Sequence, residues 1–236
     1  MTARQSSRIL DDGGQPFEVV VLEPTRATAV VLFSVGGGGD PRRHLGFLQS
    51  LAAEGCLIAA PAAPRLVAPA PTAAELETRA RRLRLAFADI AQPGLPSVGV
   101  GHSIGATLLL MLAGARGMTI AGEAVAAGRE PGLERLLLMA PSADFFRAPG
   151  ALDGLRARIT IWAAGRDHIT PLEHAELLQR RVGSRAPLEL RVAPQAGHFS
   201  FMNEPPPHAE ETLPDRDAFL AELAREVTDA IAGESA

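Results

Sequence analysis

The chain contains one cysteine and no lysine, so every basic side chain other than histidine is an arginine. A single cysteine excludes an internal disulfide and is compatible with a reducing compartment. The amino-terminal stretch lacks the apolar segment of a secretory signal, and no apolar run reaches the roughly 18 residues of a transmembrane helix. We therefore expect a cytoplasmic protein without a membrane span.

Positive charge is not in excess either, since the formal net charge is -4. Such a chain has no basic field to attract nucleic acid or an anionic membrane. Its histidine, cysteine and aspartate residues do not follow the spacing of a zinc site. The sequence predicts no nucleic-acid partner, no membrane partner, no metal and no cofactor, and it leaves the oligomeric state open.

Apolar residues make up 47% of the 236 positions. A chain of this length and composition can bury roughly 70% of its unfolded surface in one domain. Apolar periodicity predicts strands over 17–22, 29–33, 57–60, 97–100, 135–139, 158–163 and 188–192, and helices over 41–54, 72–91, 107–113, 171–182 and 215–231. The proline cluster 62–71 is predicted to be a loop. This alternation predicts a single α/β domain over 1–236, with a mostly parallel sheet covered by helices on both faces.

Residues 101–105 read Gly-His-Ser-Ile-Gly and stand between a predicted strand and a predicted helix. This is the pattern of a nucleophile elbow, in which a serine occupies a sharp, strained turn and the flanking glycines allow strand and helix to pass closely. Ser103 is therefore the candidate nucleophile. His102, inside the elbow, is predicted to pack beneath it.

A serine hydroxyl needs a base to take its proton and an acid to orient that base. Asp167 and His198 each follow a predicted strand, and they come after Ser103 in the order serine, acid, histidine. The carboxyl ends of parallel strands share one edge of a sheet, so we expect the three side chains to meet there. Asp144 is the alternative acid.

The run of glycines at 36–39 follows the strand predicted over 29–33. Residues without side chains let backbone N–H groups approach a substrate oxygen. We assign one oxyanion donor to the N–H of Ile104 and the other to Gly37, with Gly36 as the next choice. A phosphate loop is the weaker interpretation, because Asp40 and a proline follow where a lysine and a hydroxyl residue are required.

The chain resembles the α/β-hydrolases, in particular the predicted dienelactone-hydrolase group, which is also similar to chlorophyllases and platelet-activating-factor acetylhydrolases. The resemblance is carried by FSVGGGGDPRRHLGFLQSLAAEGCLIAAP, GHSIGATLLLMLAGA, LLLMAPSADFF, ITIWAAGRDHITP and AGHFSFMNEPPP, in the family's order. It implies an α/β-hydrolase fold, hydrolysis of an ester or related acyl bond, and triad positions at Ser103, Asp167 and His198.

The chain departs from this family at three positions. Relatives commonly carry a His-Gly pair in the oxyanion loop, where this chain has Val35. Chlorophyllase-like members place their acid after the strand over 135–139, where this chain has Ala140, and this favours Asp167. Some dienelactone hydrolases use a cysteine nucleophile, whereas Cys56 lies at the start of a predicted buried strand and is expected to be a core residue.

Two segments are candidates for shaping a pocket. Segment 116–132, which contains a predicted helix over 118–127, is either a small cap over the site or a surface excursion. Phe199 and Met202 follow the proposed base, and their apolar side chains would suit an acyl or alcohol group, although core packing is the alternative.

These residues together predict a serine esterase that cleaves a carboxylic ester, lactone or thioester of a small molecule through an acyl-enzyme intermediate. The alternatives are a non-catalytic small-molecule-binding relative of the same fold, and a lyase or perhydrolase that uses the same triad. Hydroxynitrile-lyase-like chemistry ordinarily needs a lysine in the pocket, and the chain has none.

Overall fold

The computed structural model describes residues 3–67, 70–210 and 213–233. The strands are Arg4–Asp11 (β1), Pro16–Glu23 (β2), Ala29–Ser34 (β3), Cys56–Pro61 (β4), Ser97–His102 (β5), Gly117–Met118 (β6), Ala124–Val125 (β7), Arg135–Met139 (β8), Arg158–Ala164 (β9) and Leu188–Ala193 (β10). The α-helices are Leu45–Ala53 (α1), Ala73–Ile90 (α2), Ile104–Leu112 (α3), Leu172–Val182 (α4) and Arg216–Ala232 (α5).

The longer strands form one sheet of eight strands in the order β1-β2-β4-β3-β5-β8-β9-β10. β2 pairs antiparallel with both β1 and β4. Every other pair in this sheet is parallel. The predicted mostly parallel sheet is therefore confirmed, and β1, which the apolar pattern did not predict, adds an antiparallel strand at one edge.

Helices cover both faces of the sheet, and the central strands are accordingly buried at nearly every position. Successive residues of a strand point to opposite faces. Val30 and Leu32 accordingly share a core with the buried residues of α2, α3 and α4. Val31 and Phe33 share a second core with α1 and α5. Two cores, one on each face, hold the strand ends in fixed relative positions.

The helix predicted over 41–54 begins instead as a 3-10 turn, Pro41–His44, and continues as α1. The side chain of Asp40 accepts a hydrogen bond from the N–H of Arg42 and so caps that turn. α3 starts three residues earlier than predicted, directly after Ser103. Within the described part of the chain, no helix is long and apolar enough to cross a membrane.

The prediction of a helix over 118–127 is wrong. This stretch forms the short antiparallel pair β6 and β7. Gly122, with φ +85°, closes the turn between them, and its N–H donates to the carbonyl of Thr119. A glycine with positive φ and the β-branched Thr119 and Ile120 oppose a helix, and they outweigh the small residues that suggested one.

The loop predicted over 62–71 has no helix or strand at its described positions, and positions 68 and 69 lie outside the described residues. α2 begins just after this loop with a capping box. The hydroxyl of Thr72 accepts from the N–H of Glu75, and the Glu75 carboxylate accepts from the N–H of Thr72. The predicted start of this helix is confirmed to within a residue.

Candidate active site

Ser103 occupies the turn between β5 and α3 with a φ of 57° and a ψ of -130°. This backbone conformation is rare for a residue with a side chain, and it marks a strained site held by its surroundings. A Cβ on Gly105 would lie 2.2 Å from the carbonyl oxygen of Ser34, and one on Gly101 would lie 2.8 Å from a methyl group of Leu109. The two glycines of the motif are therefore required by close packing of the turn.

The side chains of Ser103, His198 and Asp167 form a continuous chain of hydrogen bonds. Nε2 of His198 lies 3.0 Å from Oγ of Ser103. Nδ1 of His198 lies 2.7 Å from Oδ2 of Asp167. A carboxylate only accepts hydrogen bonds, so Nδ1 carries the proton and Nε2 is free to accept from the serine hydroxyl. The structure thus brings together the three side chains that the sequence singled out.

Asp167 is buried in the loop after β9. Its Oδ1 accepts hydrogen bonds from the N–H groups of Ile169, at 2.7 Å, and Thr170, at 2.8 Å. Burial raises the pKa of Asp167, but the hydrogen bonds from His198 and Thr170 lower it by more, so the pKa lies below its ordinary value. The residue is therefore an ionised carboxylate at neutral pH.

Thr170 is part of this arrangement, and sequence reasoning missed it. Its hydroxyl oxygen lies 2.8 Å from Oδ2 of Asp167, 3.1 Å from Nδ1 of His198 and 3.2 Å from the carbonyl oxygen of Ala140. The available signal was a hydroxyl residue three positions after the acid, where the loop turns back on itself. Thr170 connects the loop after β9 to the end of β8.

Asp144, the alternative acid, belongs to the 3-10 turn Asp144–Phe146 after β8. Its carboxylate forms an ion pair with Arg147. Among the described residues, no hydrogen bond joins it to His198. Of the two candidate acids, Asp167 is therefore the one whose carboxylate contacts His198.

The glycine-rich loop lies beside the nucleophile, and Gly36, Gly37, Ser103 and His198 line the same cavity. Within the described part of the chain, the N–H groups of Gly37 and Gly38 donate no hydrogen bond to the protein. The N–H of Ile104 belongs to the first turn of α3, where backbone donors have no partner inside the helix. Val35, which stands where the resemblance would place a histidine, is buried, and Gly36, Gly37 and Gly38 after it line the cavity.

Two further histidines are buried beneath the site. The rings of His44 and His102 have centroids 5.3 Å apart, and those of His102 and His198 are 4.9 Å apart. Nε2 of His102 lies 2.9 Å from the carbonyl oxygen of His198, to which it donates. Burial lowers the pKa of His44 to about 4 and that of His102 well below its ordinary value. Both rings are therefore neutral at neutral pH. His102, which was predicted to pack beneath the elbow, is buried and donates to the backbone of His198.

The cavity has a volume of about 380 Å³. Phe199 and Met202 both line it, as do the apolar side chains of Leu66 and Ile169, which the sequence did not suggest. Segment 116–132 supplies none of the residues lining this cavity, and the N–H of Ala126 within it donates to Glu77 of α2 at 2.8 Å. A role for that segment as a cap stays a prediction.

Cys56 is buried at the start of β4, as expected for a core residue. Burial raises the pKa of its thiol to about 12, so it is not a thiolate at neutral pH. Among the described residues, no group of three or more histidine, cysteine, aspartate or glutamate side chains is placed to hold a metal ion.

No protein-family model and no curated protein sequence matches the chain. Solved structures do match the chain over nearly its whole length. The dienelactone hydrolase of Anabaena variabilis is 16% identical with a TM-score of 0.67, and the match covers 99% of both chains. A putative α/β-hydrolase from Agrobacterium tumefaciens is 16% identical with a TM-score of 0.67, and the match covers 97% of this chain and 98% of that one.

Esterase 2 of Thermogutta terrifontis, in a structure phosphorylated by paraoxon, is 16% identical with a TM-score of 0.66, and the match covers 98% of this chain and 95% of that one. At this level of identity the similarity establishes architecture. The whole length of the described chain, including the turn that carries Ser103, has the α/β-hydrolase fold.

Proposed function

We propose that the protein is a serine hydrolase that cleaves a carboxylic ester of a small molecule through an acyl-enzyme intermediate. The observation that carries this proposal is the pair of contacts from Ser103 Oγ to His198 Nε2, 3.0 Å, and from His198 Nδ1 to Asp167 Oδ2, 2.7 Å, at the wall of a cavity. A nucleophile, a base and an orienting acid in hydrogen-bond contact are what acyl transfer requires.

In the acylation step, Oγ of Ser103 attacks the ester carbonyl while Nε2 of His198 takes the hydroxyl proton. The Asp167 carboxylate stabilises the imidazolium that forms, and the N–H groups of Ile104 and Gly37 donate to the oxyanion. When the tetrahedral intermediate collapses, the C–O bond to the alcohol breaks and His198 returns the proton to the leaving oxygen. The alcohol departs and the acyl group remains on Ser103.

In the deacylation step, His198 takes a proton from a water molecule, whose oxygen attacks the acyl carbonyl. Collapse of the second tetrahedral intermediate breaks the bond to Oγ of Ser103, which recovers its proton from His198. The carboxylic acid product then leaves, and the resting enzyme is restored. The same two N–H donors serve both intermediates.

The substrate class follows from the cavity. Its volume of about 380 Å³ suits a small molecule. Phe199 and Met202 would contact an apolar acyl or alcohol group beside the base. Solved structures of similar fold include an esterase phosphorylated by paraoxon, which supports a test of this chain with the same reagent.

Intact-mass spectrometry after treatment with paraoxon tests the proposal without knowledge of the substrate. We expect the wild type to gain one diethylphosphoryl group, and Ser103→Ala and His198→Ala to gain none. Ser142→Ala serves as the control and should react like the wild type, because it removes a hydroxyl in the loop after β8 that accepts from the N–H of Asp144 and does not line the cavity. Absence of any adduct on folded wild type would contradict the proposal and favour a binding protein.

Hydrolysis of p-nitrophenyl esters of increasing acyl length then identifies the acyl length that the enzyme prefers. Turnover that disappears in Ser103→Ala supports the assignment of the nucleophile. Turnover that survives in this variant would contradict it.

A further inference from the structure

Arg79 is a buried arginine in the middle of α2 that forms no ion pair with a carboxylate of the described residues. Its exposed fraction is 3%. Burial lowers the pKa of Arg79 to about 10, so the guanidinium is still charged at neutral pH. No ion pair involving Arg79 is found within the described part of the chain, and its Nε has no hydrogen-bond partner there. The charge of Glu75, one turn earlier in α2, raises the pKa of Arg79, but the effect of burial is larger. A buried cation that is only partly compensated reduces stability, so its presence needs an explanation.

Among the described residues, the guanidinium donates only to backbone carbonyls, and these belong to the glycine-rich loop and to the loop after β4. One terminal nitrogen, Nη1, donates to the carbonyl oxygen of Gly36 at 2.9 Å, and the other, Nη2, donates to that of Gly37 at 3.0 Å. Nη2 also donates to the carbonyl oxygen of Pro64 in the loop after β4. Arg79 therefore joins the glycine-rich loop to the loop that carries Leu66.

These bonds fix the direction of the peptide groups in the glycine-rich loop. The carbonyl and N–H of a trans peptide point in opposite directions. Because the carbonyls of Gly36 and Gly37 point to Arg79, the N–H groups of Gly37 and Gly38 point away from it. Both glycines line the cavity that contains Ser103. The same two carbonyls also accept from backbone N–H groups, that of Gly36 from Gly39 at 3.2 Å and that of Gly37 from Leu66 at 2.9 Å. Arg79 therefore adds side-chain bonds to peptide groups of residues that have no side chains of their own to restrict them.

We infer that Arg79 is a positioning residue for the oxyanion hole, an inference that rests on the proposed function. It orients the N–H of Gly37 toward the oxyanion, and its charge polarises the Gly36–Gly37 peptide so that this N–H becomes a stronger donor. The same charge, held in a site of low dielectric, favours negative charge on the substrate oxygen. The loop has no histidine of the kind seen in relatives, and Arg79 supplies rigidity from behind it.

The test compares Arg79→Met, which has similar length and no charge, with the wild type on p-nitrophenyl acetate. Loss of one oxyanion donor typically costs about 10² to 10³ in rate. We expect kcat/KM of Arg79→Met to fall by a factor in this range, mainly through kcat, because the substrate in its ground state has no oxyanion. Arg82→Met is the matched control. Arg82 is a partly buried arginine of the same helix that stacks on Phe17, and its loss should leave kcat unchanged.

A trifluoromethyl ketone separates orientation of the oxyanion hole from a general loosening of the cavity. It adds to a nucleophilic serine and places an oxyanion in the hole, whereas the corresponding secondary alcohol only occupies the cavity. We expect the inhibition constant of the ketone to rise in Arg79→Met by the factor by which kcat falls. The inhibition constant of the alcohol should stay unchanged. A purely structural role would weaken both inhibitors alike.

Arg79→Lys keeps the charge but lacks the planar fork that reaches several carbonyls at once. We expect an activity between those of the wild type and Arg79→Met, and this variant decides the question if Arg79→Met fails to fold. A wild type that paraoxon does not label would refute the proposed function itself. A reactive wild type, together with a folded Arg79→Met or Arg79→Lys variant as active as Arg82→Met, would overturn this inference alone.

Discussion

Replacement of Asp167 by asparagine tests the role of the acid most directly. The two carboxylate oxygens have different partners. Oδ1 accepts from the N–H groups of Ile169 and Thr170, whereas Oδ2 faces Nδ1 of His198. In Asp167→Asn the amide oxygen must take the Oδ1 position, because an NH₂ group there would oppose two N–H donors. The amide NH₂ then lies against His198.

That orientation reverses the tautomer of the base. The amide donates to Nδ1 of His198, so the ring proton moves to Nε2, which faces Oγ of Ser103 at 3.0 Å. A protonated Nε2 cannot take the serine proton. Loss of the working tautomer in a serine-histidine-aspartate site lowers kcat by about 10⁴. We expect a loss of this size in p-nitrophenyl acetate hydrolysis and a comparable slowing of phosphorylation by paraoxon.

Asp144→Asn is the matched control for this experiment. It removes a carboxylate that pairs with Arg147, and it should leave kcat close to that of the wild type. Circular dichroism establishes that both variants are folded before rates are compared. A folded Asp167→Asn variant with kcat within roughly tenfold of the wild type would refute the argument from the tautomer, and a large loss in Asp144→Asn would move the acid to that residue.

Three further substitutions test the structure around the site. Thr72→Ala removes the cap of α2 and should lower the free energy of unfolding by about 1 kcal/mol, measured by urea denaturation, with kcat unchanged. Gly105→Ala places a Cβ 2.2 Å from the carbonyl oxygen of Ser34, and the displaced turn should slow paraoxon labelling by about 10² or more. Asp12→Asn should destabilise the protein in a pH-dependent way, because hydrogen bonds from Arg81 lower the pKa of Asp12 in the folded state. That contribution is present above the unfolded-state pKa of about 4 and is lost as the pH falls through the folded-state value, so the two unfolding curves should converge in acid.

The sequence predicted the positions of residues that follow apolar strands. Apolar runs located the central strands, and the carboxyl ends of parallel strands lie at one edge, so Ser103, Asp167 and His198 were predictable as neighbours. The turn at Gly122 was not predicted, because the small residues around it fit either a helix or a short hairpin. β1 was missed because its alternating residues are mostly polar and exposed.

The contacts of Thr170 and Arg79 were not predictable, for a different reason. Arg79 donates to backbone carbonyls that are distant in sequence, and Thr170 links Asp167 to the backbone carbonyl of Ala140, and such backbone partners leave no signature in the sequence. Arg79 lies three positions after Leu76 and four before Leu83, on the apolar face of α2, but an arginine in an amphipathic helix is normally solvated, and the sequence does not identify the carbonyls that it binds. Only the fold reveals that the helix crosses behind the glycine-rich loop.

Ala140, just after β8, connects the end of that strand to Asp167, the proposed acid in the loop after β9. Chlorophyllase-like proteins have their acid at this position, at the end of β8, and here the residue has no carboxylate. Its φ of 49° is nevertheless in the left-handed region, which is unfavourable for alanine. The strained backbone presents its carbonyl oxygen to the hydroxyl of Thr170, at 3.2 Å, and this hydroxyl in turn contacts Asp167. The end of β8 thus contacts the proposed acid through a backbone group and Thr170, at a residue whose conformation glycine would adopt at no cost.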